Sequence, residues 1–377
     1  MKELSLLIWV QHLFGKGHVR RMARIAAACA EQGMTVTVVA GGPDGRKAFR
    51  GIENISVHQL PALRTKDHQY TGLITQEGVE PNDVFWRMRR EALLEVLAVV
   101  KPDIVLVELF PFGRRKFSDE VLALIEAARA LPNRPLIASS VRDIVEPKVD
   151  VKKSAEMGTW LSQCFDAVLV HGDESIIELG ETAPFAKDAG TPLFYTGYIA
   201  PEEAKIGPKS GVVISAGSGL SGDGLLSIAA EAGTIAATAA DQWHIFVPPK
   251  VDAPSSGKNP HVFVHPFGNT FEGHLAQAAV SISEAGYNTA AEGLALGAKL
   301  LLVPYGEAGQ TEQPRRATRF AERGLAICLD PEGLDAARLI EAVGHAKSLP
   351  PPPALNLSGS SATPFILKDL REGGLAS

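Results

Sequence analysis

What most constrains this chain is an alternation that runs through it twice: a short, unbroken apolar run, a glycine-bearing or polar turn, then a helix-length amphipathic stretch. The first set of runs is Leu4 to Val10, Thr35 to Ala40, Asp103 to Leu109, Pro135 to Ser140, Ala167 to His171 and Leu193 to Tyr195. The second is Gly211 to Ser215, Trp243 to Val247, Val262 to His265, Val280 to Ser283, Leu300 to Val303 and Leu325 to Cys328. A strand that is apolar on both faces must be covered on both, as in a parallel sheet between two helix layers. Helices are expected from His18 to a stop at Gly33, with Val19, Met22, Ile25 and Cys29 on one face. Others are expected over Val84 to Val100, Ser118 to Ala130, Ser154 to Cys164 and Leu225 to Ala240. The pattern predicts an α/β protein with two doubly wound, Rossmann-like parallel sheets.

At 377 residues the chain exceeds one ordinary core. Gly197 to Ser210, with Pro201, Gly207 and Pro208, reads as a linker between domains at residues 1–196 and 211–350. Residues 351–377 read as a Pro/Ser-rich tail with a short apolar element around Phe365 to Leu370, expected to pack back on the first domain. Open parallel sheets bind ligands beyond the carboxyl ends of their strands, so two such domains facing across a cleft would place the chemistry there.

Several function classes are disfavoured. A net charge of −6 argues against coating a nucleic acid, so no nucleic-acid partner is expected. Cys29, Cys164 and Cys328 form no C-x-x-C pair and read as small core residues of a reducing cytoplasm. No apolar run approaches the roughly 20 residues that span a bilayer. Localisation is therefore expected to be cytoplasmic, with at most peripheral membrane contact. Trp86-Arg-Met-Arg-Arg90 either touches an anionic lipid surface or is the solvated side of a helix. The loop Gly15-Lys-Gly17 lacks a third glycine at Arg20, and Ala40-Gly-Gly42 is followed by no acidic residue, which disfavours a dinucleotide cofactor. Asp-x-Asp does not occur, and the carboxylates do not cluster with histidines at ligand spacing, so neither a metal nor another cofactor is expected.

Two turns suit an anion. In Ser281 to Gly297 an apolar run enters Gly286, a helix is expected to begin at Asn288 and Thr289, and Gly297 ends it. Backbone N–H groups and the helix dipole there suit a phosphate, and Glu292, one turn deeper, suits sugar hydroxyls. The second turn, Ser215 to Gly224, offers the N–H groups of Gly217 to Gly219 and the Ser218 hydroxyl for another phosphate. His18 follows Gly17 at a helix N-terminus, whose dipole would keep its ring neutral; it is either a general base or a capping residue. In His265-Pro-Phe267 the aromatic either flanks a nucleobase or packs in a core.

Gly15-Lys-Gly-His18, with an arginine two residues on, and Ser283-Glu-Ala-Gly-Tyr-Asn-Thr289, Glu292, Pro304 and Glu312-Gln313 together resemble the GT-B nucleotide-sugar glycosyltransferases, family 28 in particular. Phe110-Pro-Phe-Gly113 and Val170-His-Gly-Asp173 are similar to a poorly characterised bacterial branch of that group. The resemblance covers about residues 211 to 330 and, more thinly, the Gly-His loop. It implies a hexosyl transfer from a nucleotide-diphosphate sugar, a UDP-sugar in the first instance, without a metal and with inversion. The acceptor is left open among a glycan, a lipid-linked glycan and a small metabolite. By resemblance His18 is the catalytic base, and Gly17 before it is a donor-binding residue. Gly217, Ser218, Gly219, Gly286, Tyr287, Asn288 and Thr289 hold the diphosphate, Glu292 the ribose, Phe267 the base edge, and Glu312 and Gln313 the sugar. Glu284 stands where the family often has a basic residue, and Gln310-Thr-Glu-Gln313 replaces a commoner Asp-Gln pair. A hydrolase or epimerase of the same fold, or a silent nucleotide-sugar-binding protein, are the alternative readings.

Overall fold

The protein is described by a computed structural model covering residues 3–13, 17–67, 71–146, 150–201, 207–216, 223–249, 251–255, 257–305 and 311–373. It divides into two compact units, Met1–Ile199 with Ser358–Ser377, and Ala200–Leu357.

The first unit opens with β1 (Ser5–Val10), α1 (Gly17–Glu31), β2 (Thr35–Ala40), β3 (Ile55–Gln59) and the small hairpin β4 (Arg64–Thr65) and β5 (Leu73–Ile74). It continues with α2 (Asp83–Val100), β6 (Ile104–Glu108), α3 (Ser118–Arg129), β7 (Leu136–Arg142), α4 (Val151–Cys164) and β8 (Ala167–His171). Two short helices, α5 (Leu179–Thr182) and α6 (Pro184–Asp188), precede β9 (Leu193–Tyr195). The main sheet is seven-stranded in the order β3-β2-β1-β6-β7-β8-β9, parallel throughout. Leu6 to Val10 and Ile104 to Val107 are wholly buried, because helices cover both faces of these central strands.

Strand β3 escaped the sequence reading because Ile-Ser-Val-His-Gln alternates, as an edge strand does, instead of forming an apolar run. The glycines after β2 have a packing role: a Cβ on Gly41 would collide with the Gln11 side chain. Arg89 corrects the reading of Trp86 to Arg90 as one solvated or lipid-facing patch. It is fully buried, donates from Nε to Glu120 Oε2 at 2.7 Å and from Nη2 to Glu120 Oε1 at 2.9 Å, and Trp9 Nε1 donates to the same carboxylate at 2.9 Å. Removing either partner of such a pair would strand a buried charge.

The second unit runs β10 (Val212–Ser215), α7 (Asp223–Ala236), β11 (Trp243–Val247), β12 (Val262–Pro266), α8 (Phe271–Gln277), β13 (Val280–Ser283) and α9 (Tyr287–Ala295). It ends with β14 (Lys299–Leu302), α10 (Glu312–Glu322), β15 (Ala326–Cys328) and α11 (Ala336–Ser348). Its six-stranded sheet has the order β12-β11-β10-β13-β14-β15, again parallel throughout. Helix α12 (Gly359–Glu372) belongs to the first unit and packs on α1. It is longer than the element expected from Phe365 to Leu370, because the serines read as a bridge form its first turn.

Of the cysteines only Cys29 is a core residue; Cys164 is half-buried and Cys328 exposed, which corrects the expectation for those two. Among the described residues no helix is long and apolar enough to cross a membrane.

Candidate active site

In a doubly wound sheet the strand order reverses once, and the crevice beyond the carboxyl ends at that point is where ligands bind. The reversal lies between β1 and β6 in the first unit and between β10 and β13 in the second.

At the first reversal, His18 in the first turn of α1 meets Glu108, the last residue of β6: Nδ1 lies 2.5 Å from Oε1. An ionised carboxylate only accepts, so Nδ1 carries the proton and the Nε2 lone pair is left for another group. Arg21, three residues on along the same helix face, donates from Nη2 to the same Oε1 at 2.7 Å. Burial lowers the His18 pKa to about 4, outweighing the opposing pull of Glu108, while nearby Arg114 and Arg21 lower it further. The ring is thus neutral at neutral pH, as expected, but burial rather than the helix dipole is the main cause. For Glu108, burial acts upward and is overcome by His18, Arg21 and Arg114, which hold its carboxyl down at about 2. Its second oxygen, Oε2, is buried without a hydrogen-bond partner among the described residues. Sequence reasoning missed Glu108, although a carboxylate closing the otherwise apolar run Ile-Val-Leu-Val was a signal. His171 is a different case: Ser140 Oγ and Thr196 Oγ1, each at 2.8 Å, occupy both its ring nitrogens. Gly17 opens α1, while Gly15 and Lys16 lie outside the described residues.

At the second reversal β13 ends at Ser283, and α9 starts at Tyr287, one residue earlier than expected, with Gly286 as its N-cap. The left-handed residue of the turn is Ala285 (φ 64°), not Gly286, whose φ of −62° suits any amino acid. What glycine supplies at 286 is space, since a Cβ there would meet nothing within 4 Å. The first bond of the helix runs from Ala290 N to Gly286 O at 3.0 Å, so the N–H groups of Tyr287, Asn288 and Thr289 have no acceptor within the helix. Ser283 Oγ and Asn288 Oδ1 are buried beside them with no hydrogen-bond partner among the described residues. Glu292 is wholly buried.

The turn is braced by Arg316 of α10, another residue that sequence reading passed over. Its Nη1 donates to Ala285 O at 2.8 Å, its Nη2 donates to Glu312 Oε1 at 2.9 Å, and its guanidinium lies 5.7 Å from the Tyr287 ring centre. Gln313 Oε1 accepts from Tyr305 N at 3.2 Å. Glu312 is therefore linked through Arg316 to the turn before α9, while Gln313 holds the backbone at Tyr305, beyond β14. The Phe267 ring packs on Phe271 at 4.8 Å, and its N–H donates to Val247 O at 2.8 Å. Gly217, Ser218 and Gly219 lie outside the described residues.

Residues 246–360, which contain this turn, match the model of the glycosyltransferase family 28 C-terminal domain. The chain is a family 28-like glycosyltransferase. The chain is similar to the UDP-N-acetylglucosamine–N-acetylmuramyl-(pentapeptide) pyrophosphoryl-undecaprenol N-acetylglucosamine transferase of Desulfotalea psychrophila, 35% identical over 82 residues and 22% of each chain. The enzyme of the same name from an Exiguobacterium species is 34% identical over 94 residues, 25% of each chain. The chain thus matches only about a quarter or less of the length of these curated relatives. Solved structures cover nearly all of it. The glycotransferase of kitacinnamycin has a TM-score of 0.61 at 15% identity, over 99% of this chain and 96% of that one. MurG of Acinetobacter baumannii has a TM-score of 0.56 at 15% identity, over 98% and 99%. The fold is GT-B.

On the outer part of its sheet the second unit brings together three histidines that lie at no metal-ligand spacing in sequence. His244 of β11, His265 of β12 and His274 of α8 place one ring nitrogen each within 4.8 Å of the other two. All three are half-buried. Burial, then the charges of His274 and His265, lowers the His244 pKa to about 4; burial and His274 lower that of His265.

Proposed function

We propose that this protein is a glycosyltransferase that moves a hexose-type sugar from a UDP-sugar to an acceptor hydroxyl, inverting the anomeric centre and using no metal in the chemical step. The observation that carries this reading is the His18–Glu108 pair at one strand-order reversal, in a chain whose other reversal lies in a family 28 domain. The lone pair of His18 Nε2 takes the proton of the acceptor hydroxyl as its oxygen attacks the anomeric carbon. The new C–O bond forms as the bond from that carbon to the diphosphate oxygen breaks, and the nucleoside diphosphate leaves with the electron pair. Ionised Glu108 orients the ring and stabilises the imidazolium that develops, the arrangement by which a carboxylate assists a histidine base elsewhere.

The leaving diphosphate is stabilised by the N–H groups of Tyr287, Asn288 and Thr289 and by the positive end of α9, with Gly217 to Gly219 as the second arm. Gly286 lets the phosphate approach the backbone closely. Glu292 accepts hydrogen bonds from the ribose, the Phe267 carbonyl contacts the base, and Glu312 and Gln313 face the sugar. The two curated relatives act, by name, on UDP-N-acetylglucosamine, which supports the choice of nucleotide.

A panel of UDP-, dTDP- and GDP-sugars tests the reading. A UDP-sugar should raise the melting temperature by mass action, and transfer should follow once glycan, lipid-linked and small hydroxyl acceptors are supplied. Rapid release of free sugar without an acceptor would make the protein a hydrolase; binding with no turnover under any acceptor would make it a silent binder.

A further inference from the structure

We propose that His244, His265 and His274 form a binding site for a divalent transition-metal ion of the zinc class, one that no step of the sugar transfer uses. Two parallel neighbours in the sheet and one helix converge to build it. The register sets His244 opposite Phe263 and Phe246 opposite His265, so residues of one face on β11 and β12 alternate imidazole and phenyl rings. Helix α8 then lays His274 over them, its ring centre 4.5 Å from that of His244 and 4.9 Å from that of His265.

One nitrogen of each ring already lies within 4.8 Å of the other two, so small ring rotations suffice to bring all three to one ion. His244 Nδ1 and His265 Nε2 are 3.0 Å apart, close to the roughly 3.4 Å edge of a tetrahedron with Zn–N bonds of about 2.05 Å. His274 Nδ1 is 2.9 Å from Thr270 O; a carbonyl only accepts, so Nδ1 carries the proton and Nε2 presents its lone pair. A ring whose far N–H is fixed by a backbone carbonyl is the usual state of a metal-bound histidine. On binding, the proton that His244 and His265 share moves to the remote nitrogen of whichever ring now donates it, so neutral rings bind the cation with no net proton release. Phe263 stacks on His244 at 5.1 Å and Phe246 on His265 at 4.9 Å, walling the group with apolar surface, while the half-exposed rings leave an entry route and a fourth position for water. Three imidazoles without a carboxylate select zinc, nickel, cobalt or copper over magnesium and calcium, which need oxygen ligands. The bound ion would tie edge strand β12 to α8 just before Pro266 and Phe267.

The test uses the full-length protein after chelator treatment and dialysis, with no donor or acceptor present, so its outcome is independent of the proposed activity. Titration with zinc chloride by calorimetry should give one saturable site per chain and raise the melting temperature. Cobalt chloride should produce the visible absorption of a tetrahedral ion, discharged by zinc. His274→Ala and His265→Gln should each weaken zinc binding roughly 100-fold or more and abolish the cobalt spectrum. His345→Ala, at an exposed position of α11, should change nothing. Circular dichroism of each variant separates loss of metal from loss of fold. Absence of saturable binding by the native protein, or zinc affinity unchanged in the folded His274→Ala variant, would overturn the site and leave a packing cluster of imidazole and phenyl rings.

Discussion

The two strand-order reversals share one topology and carry opposite chemistry. Strand β6 ends in Glu108, and the first reversal is a cluster of polar side chains in which His18 Nδ1 and Arg21 Nη2 lie 2.5 and 2.7 Å from the same Glu108 oxygen. Strand β13 ends in Ser283, and the second reversal offers backbone N–H groups and short polar side chains, while its buried cation, Arg316, is engaged with Ala285 O and Glu312. A side-chain pair suits a reacting proton, whose transfer needs a group of tunable pKa. A fan of N–H groups suits a spread, unreactive charge such as a diphosphate.

The largest break in this contrast comes from His18→Ala. General-base removal should lower kcat about 10²- to 10⁴-fold while leaving UDP affinity unchanged, since nucleotide binding belongs to the other unit in this reading. Transfer at the native rate with the true acceptor would remove His18 from the chemistry. Glu108→Gln should lower kcat less, roughly 10- to 100-fold, because the ring keeps a hydrogen-bonding neighbour but loses the charge opposite its imidazolium. The same change deprives buried Arg21 of its anionic partner, so it should also cost about 3–5 kcal/mol, read as a lower melting temperature and denaturation midpoint. On the other side, Glu292→Ala should weaken UDP binding roughly 10- to 100-fold, the worth of hydrogen bonds to a carboxylate at about 1.5–3 kcal/mol. Calorimetry showing unchanged affinity would exclude Glu292 from the ribose site.

Acid should separate the units less sharply. His18, His171 and His244 all have pKa values held below the ordinary 6.5, so the unfolded chain binds more protons than the native one as pH falls below that value. Their contribution to stability is complete above about pH 6.5 and is lost as pH falls toward about 4, where His18 and His244 protonate. The melting temperature should therefore decline by several degrees across that window, and the base-dependent transfer rate should drop only near pH 4. His171→Asn should flatten part of the decline without moving the rate profile; a decline of the same depth would assign it to other groups.

The sheet-forming residues could be read from sequence because a parallel strand must be apolar on both faces, and that requirement writes itself into consecutive residues such as Leu6 to Val10. The turn before α9 was readable for the same reason, being local. What could not be read is what distant segments bring together. Glu108 and His18 are joined by strand pairing, Arg89 is drawn inside by Glu120 and Trp9, and the three histidines meet through the register of β11 and β12 and the placement of α8. Edge strand β3, with one face half-solvated, carried too little apolar pattern to be seen.

The smallest change gives the most selective test of the second reversal. Gly286 has a φ of −62° and a ψ of 143°, which alanine adopts without strain, and its added methyl would meet nothing within 4 Å. Gly286→Ala should therefore leave the melting temperature within the range of about 0.5 kcal/mol expected of a neutral surface change, or raise it slightly by restricting the unfolded chain. The methyl would nonetheless stand where a phosphate must approach the N–H groups of Tyr287 to Thr289. Nucleotide affinity should fall several-fold with the fold untouched, whereas the same substitution at a glycine that served only the turn would reverse that order. If the variant binds UDP like the native protein, the open space at 286 is not the phosphate's approach, and the diphosphate reading of this helix terminus loses its support.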